Sequence, residues 1–149
     1  MTVTGRSRWL RNASLAMVVR VVVLAFLFNW AWETVHAAAF IESSGTLAFR
    51  FWHCLPMAVT DAGWTLVLWF VVGGFARTSR RASACRLVAL GLLGAITAIA
   101  VERVALGTGR WTYNSLMPVV PLVQVGLWPV LQMTLLPVLT VWLGERPRR

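Results

Sequence analysis

The sequence predicts an all-α membrane protein: a bundle of four transmembrane helices with both termini on the cytoplasmic side. Three observations predict it. Of 149 residues, 58% are hydrophobic and 13% charged, whereas a soluble domain carries about a quarter charged residues. A soluble fold of this composition could not cover its surface with polar groups. Four apolar stretches are long enough to cross a bilayer, which takes about 20 helical residues. The basic residues gather at the ends of those stretches and in the connections between them. Nine Trp and seven Phe in an apolar chain exclude disorder.

The first stretch covers about 13–40, the second about 51–76, the third about 87–106 and the fourth about 117–143. Short polar connections separate them, and no shift of composition marks a second domain, so 1–149 reads as one integral membrane domain. The net charge is +9, and all 14 basic residues are Arg. Arg6, Arg8, Arg11 and Arg20 sit at the start of the first stretch, and Arg77, Arg80, Arg81 and Arg86 fill the middle loop. Arg146, Arg148 and Arg149 follow the last stretch, while the other two loops hold only Arg50 and Arg110, with Arg103 at a helix end. Four spans with both termini and the middle loop inside satisfy the positive-inside rule at every connection. The expected location is the cell's inner membrane. Arginines placed this way are topology signals, so nucleic acid is not an expected partner. A cleavable signal peptide competes at the N-terminus, since Val35-His36-Ala37 mimics a cleavage site. The apolar stretch before it is too long for a signal sequence and carries Asn29, Glu33 and His36.

Cys54 and Cys85 fall near opposite faces, about 30 Å apart if the spans hold. They cannot pair, and no Cys-x-x-Cys is present, so both read as packing residues rather than redox groups.

Three of the five acidic residues, Glu33, Asp61 and Glu102, lie inside spans, where ionisable groups are costly and mark a function or a partner. A rise of 1.5 Å per residue puts Glu33 about 20 Å and His36 about 24 Å above Arg20, and Asp61 about 24 Å above Arg77. By the same count Glu102 is about 24 Å above Arg86, and Gln132 about 21 Å above Arg146. Every span thus offers a polar side chain to one layer in the outer half of the membrane. The faces agree: Asn29, Glu33 and His36 form one stripe, and His53, Met57, Asp61 and Thr65 another, with Trp64 beside it. Glu102 continues the small stripe Gly94 and Ala98, a surface for close helix approach. Gln124, Trp128 and Gln132 align on the fourth. Inward-facing stripes would enclose a polar pocket roofed by Trp30, Trp32, Trp64 and Trp128, with Tyr113 and Asn114 in a loop capping it. Prolines 118, 121, 129 and 137 bear on the fourth span; those at 129 and 137 free the carbonyls of Val125 and Met133. Freed carbonyls suit either a kinked, packed helix or a ligand.

Each polar residue has a plainer alternative. Glu33 and His36 read Glu-x-x-His, a metal-ligand spacing in di-iron bundles, or simply a carboxylate holding a histidine. Asp61 has no cationic side chain one turn away. Glu102 has Arg103 beside it and Arg110 nearby, so an ion pair at the outer interface is its alternative. His53 reads as interfacial, Gln124 and Gln132 as interhelical hydrogen-bonders, and Trp111 as a belt residue. Arg50 and Arg110 could hold an anionic head group near the pocket mouth.

The segment Asn29-Trp30-Ala31-Trp32-Glu33 resembles the Asn-x-x-Trp-Glu signature in the first helix of integral-membrane terpene cyclases. The resemblance implies that Glu33 acts as an acid on an apolar prenyl epoxide or alkene, with Asp61 matching that family's second acid in type. It covers one helix, and those enzymes have seven spans. The wider pattern of Trp-Glu, His-Cys, Asp and Gly-Arg-Trp-x-Tyr landmarks also looks like small bacterial four-helix membrane proteins of no stated activity.

Three functions follow as expectations. The first is an intramembrane acid–base enzyme, a cyclase or isomerase, acting on a prenyl or lipid-like substrate without a cofactor. Glu33, Asp61, Glu102 and His36 would form its catalytic set, while Asn29, Trp30, Trp64, Trp128, Gln132, Tyr113 and Asn114 would bind substrate. A carboxyl group among apolar neighbours can keep the proton a general acid needs, and indole faces stabilise a carbocation. The second is a divalent metal held by Glu33, His36, Asp61 and Glu102. The third is a small proton-coupled transporter or complex subunit, dimerising through the Gly94/Ala98 stripe. Without Lys there is no Schiff base and no P-loop, and there is neither Gly-x-Ser-x-Gly nor an Asp-rich diphosphate motif.

Overall fold

From Arg6 to Ser44 the chain has neither Gly nor Pro, so nothing interrupts helix formation, and α1 runs unbroken over Val3–His36. The computed structural model describes residues 3–43, 45–73 and 80–146. Arg77, Arg148 and Arg149 of the charge pattern lie outside the described residues, as does the end of the expected second span. A 3-10 turn over Ala37–Ala39 closes α1. Next come α2 (Leu47–His53), α3 (Leu55–Val71) and α4 (Arg80–Gly107), then a small hairpin of β1 (Val119–Val120) and β2 (Val125–Gly126), and finally α5 (Leu127–Gly144). Three helical stretches are long and apolar enough to cross a membrane: Leu15–Ala39, Ser83–Gly107 and Leu127–Gly144. The pair α2–α3 makes a fourth if its two pieces count as one span.

Two expectations are corrected here. The second stretch is not one straight helix from 51; it starts at Leu47 and bends by 49° at Cys54. Pro56 has no N–H to give the Trp52 carbonyl, and its ring disfavours helical geometry at the residue before it. The fourth helix does not start at 117 but at Leu127. Pro118 and Pro121 lack the amides a helix needs, Gln124 has φ +53°, and the segment pairs instead as Val119↔Gly126 and Val120↔Val125. Gln124 is therefore off the helix and not aligned with Trp128 and Gln132; its side chain closes the hairpin turn onto the Pro121 carbonyl (2.5 Å). Pro129 falls in the first turn of α5, where amides have no helical partner anyway, so it breaks nothing. Pro137 is the internal proline. The carbonyl it leaves without an amide donor, that of Met133, meets Gly94 of α4, where a Cβ would overlap the oxygen. The Gly94/Ala98 stripe is therefore spent inside the bundle, against α5.

α1 packs on α3 and α5, and α5 on α4, whereas α3 and α4 touch little. The apolar core, built on Val21, Leu68, Trp69, Leu90, Met133 and Val141, fills one half of the bundle. At that end Glu145 accepts from Arg86 and from Trp69 Nε1 (2.8 Å from Oε1), and Arg20 Nη1 donates to the Arg146 carbonyl (2.9 Å). Val88, Leu92 and Ile96, each about 60% exposed on one stripe of α4, present the kind of surface that only lipid or a partner covers.

At the opposite end Gly109, with φ +65°, lets the chain turn back off α4, and Arg110 N–H caps the Ala105 carbonyl (2.9 Å). The loop then pairs with the end of α1: Phe40 bridges Tyr113, Ile41 N–H donates to Thr112 and Asn114 N–H to Ala39.

Candidate functional site

The half of the bundle opposite the core holds the polar groups. Asn29, Glu33 and His36 of α1 are all buried, as are Glu102 of α4 and Gln132 of α5. Gln132 is the hub. Its Nε2 lies 3.0 Å from Asn29 Oδ1, 2.9 Å from Glu33 Oε1 and 2.9 Å from Asp61 Oδ2. One side-chain amide thus gathers acceptors from α1 and α3 onto α5. Asn29 donates to the Ala25 carbonyl (2.8 Å), which turns its Oδ1 toward Gln132. That in turn fixes which end of the Gln132 amide faces the carboxyls.

The amide has two N–H bonds for three acceptors. The Glu33 and Asp61 carboxyls, from α1 and α3, thus meet the same nitrogen, each 2.9 Å from it. The arrangement is a carboxyl pair fed by one amide.

His36 donates Nδ1–H to the Trp32 carbonyl (3.1 Å), leaving Nε2 as an acceptor. Glu102 accepts from Tyr113 Oη and from Trp111 Nε1 (3.3 Å) rather than from an arginine. The alternative pairing with Arg103 or Arg110 is not formed: Arg103 reaches the Val123 carbonyl (3.5 Å) and Arg110 sits over the Trp111 ring at 5.5 Å. Among the described residues the one ion pair is Arg86–Glu145. Tyr113 Oη also accepts from Gly126 N–H (2.8 Å), joining Glu102 to the hairpin. Burial first, and the Glu102 carboxylate second, raise the Tyr113 phenol above its ordinary range.

Glu33, His36, Asp61, Glu102 and Gln132 all line one cleft of about 740 Å³. It opens between α3 and α4, with Met57, Thr60 and Trp64 on one wall and Thr97 and Val101 on the other. The expected pocket is thus partly assembled. Trp64 lines it, but Trp30, Trp128, Tyr113, Asn114 and Asn29 do not. Trp30 instead donates to the Phe51 carbonyl (2.8 Å), and Asn114 ties the loop to the Ala38 carbonyl (2.7 Å). Asn29 stands behind the carboxyls as their support. Trp32 and Trp128 face a second groove of about 530 Å³ between α1 and α5, so the four-indole roof is not formed. His53 is exposed and stacked on Phe49, and Cys54 donates Sγ–H to the Glu33 carbonyl (3.6 Å) as a packing group. Cys54 and Cys85 are both free thiols. Among the described residues no three His, Cys, Asp or Glu side chains are placed to hold a metal. The set Glu33, His36, Asp61 and Glu102 shares a cleft without converging on one point.

Sequence reading passed over Trp111 as a donor to Glu102, Glu42 at the cleft mouth, and Gln132 as the hub. Only the repeat of Trp111 and Tyr113 at alternate positions in the loop hinted at the first.

Fold and site together define a helical protein with membrane-length apolar helices and a carboxyl pair facing an apolar cleft. No family model matches the chain, and no curated protein or solved structure matches it.

Proposed function

We propose that the chain is a four-span protein of the cytoplasmic membrane with both termini inside. In this reading the Glu33–Asp61 pair is the acid–base centre of a membrane-embedded cyclase or isomerase acting on an apolar prenyl or lipid-like substrate. The supporting charge pattern is the gathering of Arg20, Arg86 and Arg146 at one end of the bundle, the end that the positive-inside rule assigns to the cytoplasm. The observation that carries the chemistry is the Gln132 amide, which gathers two carboxyls from different helices at the wall of an apolar cleft.

A pair sharing one proton is an acid and a base at one place. The acid member gives its proton to an alkene carbon, forming a C–H bond and leaving the cation on the neighbouring carbon. A second alkene closes a C–C bond on that cation, or none does. Loss of a proton to the conjugate carboxylate then restores the double bond and the enzyme. Atoms balance as an isomerisation, and the reaction needs no cofactor. Trp64 and Trp111, which line the cleft, offer ring faces to the cation. The Asn29–Glu33 segment's resemblance to terpene cyclases supports the same assignment of Glu33.

Membranes carrying the protein, incubated in D2O with linear polyprenols, prenyl epoxides and total lipid extract, test the reading. An isomer of one substrate should appear with deuterium on carbon. Asp61→Asn should abolish it while helicity and elution behaviour stay unchanged. Full turnover by Asp61→Asn would overturn the assignment, and reporter fusions at the two termini check the orientation.

A further inference from the structure

α3 and α4 are joined at the core end, where Arg86 Nη1 donates to the Gly73 carbonyl (3.3 Å), and part toward the other end, where the cleft lies between them. The gap is open to the bundle's exterior. Trp64, Val101 and Val104, which line it, are 40%, 39% and 66% exposed. A groove between two spanning helices faces lipid and not water, so its occupant is an amphiphile's chain.

The mouth has its own chemistry. Arg110 and Glu42 both line it and do not pair with each other. Among the described residues the one ion pair is elsewhere. Hydrogen bonds from its own backbone amide and from Thr112 N–H (3.1 Å) hold the Glu42 carboxyl below the ordinary carboxylate range, so it stays charged. One cation and one anion therefore stand at the open end of an apolar slot. Asp61 lines the same cleft as this pair of charges.

We infer that the α3–α4 gap is a lateral portal for a membrane lipid with a zwitterionic phosphate–ammonium head group, which stays at Arg110 and Glu42 while its chain lies along the cleft to Asp61. The inference rests on the acid–base reading above and deepens it. The reacting carbons sit in the chain, at the wall that holds Asp61, and the head sets the depth.

Photolabelling tests it in nanodiscs holding the full chain and a trace of phosphoethanolamine lipid with a mid-chain diazirine. Adducts on Thr60, Trp64 and Val101 should exceed severalfold those on Val88, Leu92 and Ile96, although these three are more exposed than Trp64 and Val101. A phosphoglycerol lipid with the same chain should label the cleft less. Arg110→Glu should lower cleft labelling about fivefold, the worth of one arginine at a lipid head group, and Glu42→Gln should remove the preference for the ammonium head. Uniform labelling around the belt, or no difference between the two heads, would overturn the portal. The wild-type map stands even if Arg110→Glu does not fold. Cleft labelling retained in an active Asp61→Asn would sink the acid–base reading alone. Uniform labelling with an inactive Asp61→Asn would sink the portal alone.

Discussion

Replacing Gln132 by Leu removes the one donor shared by Asn29, Glu33 and Asp61 while keeping nearly the same volume, so no large cavity adds to the cost. The three contacts are 2.9–3.0 Å long, but an amide with two hydrogens serves two acceptors at a time. Two scales compete for their worth. A hydrogen bond to a charged group in a soluble core contributes about 1.5–3 kcal/mol, whereas interhelical bonds in a bilayer average about 0.6 and reach about 1.7 kcal/mol. The second scale governs, because separated helices remain in the membrane and find other partners there. Two bonds then give a destabilisation of about 1–3 kcal/mol. Denaturation in mixed micelles, followed by tryptophan fluorescence, reads this directly. The sharper measure is a double-mutant cycle with Asp61→Leu, which removes the acceptor that Asn would keep; the coupling should be at least about 0.6 kcal/mol. Costs that add to within about 0.3 kcal/mol would refute the hub, since residues without a shared interaction behave that way.

Other perturbations have equally definite outcomes. Gly94→Ala puts a methyl on the Met133 carbonyl and should cost about 1–3 kcal/mol as overpacking, lowering the thermal midpoint in detergent. Gly63→Ala, which meets nothing within 4 Å, should not lower it. Glu145→Gln leaves Arg86 without its carboxylate. With the pair's side chains 9% and 25% exposed, the loss should be about 1–3 kcal/mol, and a cost below about 0.5 would mark the contact as a surface pair. The folded Glu42 carboxyl titrates below its ordinary 4.5, so its hold on Thr112 is complete above that value and is lost only as pH falls through the lower folded value. The midpoint of the Thr112 amide shift should therefore lie below pH 4.5; a midpoint at or above 4.5 would contradict the depressed value. Tyr113→Phe removes both the Glu102 and the Gly126 contacts, and faster amide exchange at Gly126 should report it.

Composition and arginine placement were enough to read a helical chain with several membrane-length apolar helices, because hydropathy over 20 residues is a local sum that tertiary contacts do not alter. The single polar layer was legible for the same reason, since helical rise is constant and depth can be counted from the nearest arginine. Glu33, His36, Asp61, Glu102 and Gln132 could be named as one level from the chain alone. Proline arithmetic went half way: Pro137 was read correctly as freeing the Met133 carbonyl, but Gly94 as its neighbour depends on which helices pack. The hairpin over Val119–Gly126 is hidden in a stretch apolar enough to read as helix, and pairing across the turn decided it. Which residues share the cleft was beyond linear reading altogether. Trp30, Trp32 and Trp128 sit on the right level of their helices yet turn toward other contacts, because the direction of a side chain depends on where the neighbouring helices stand. Glu102 shows the same limit. Its nearest charges in sequence are arginines, yet a loop folding back from Gly109 delivers Trp111 and Tyr113 instead. The sequence by itself determined depth, charge and the supply of acids. Only the packing of α1, α3 and α5 around Gln132, with α3 and α4 left apart, decided that two of those acids meet at the wall of a cleft.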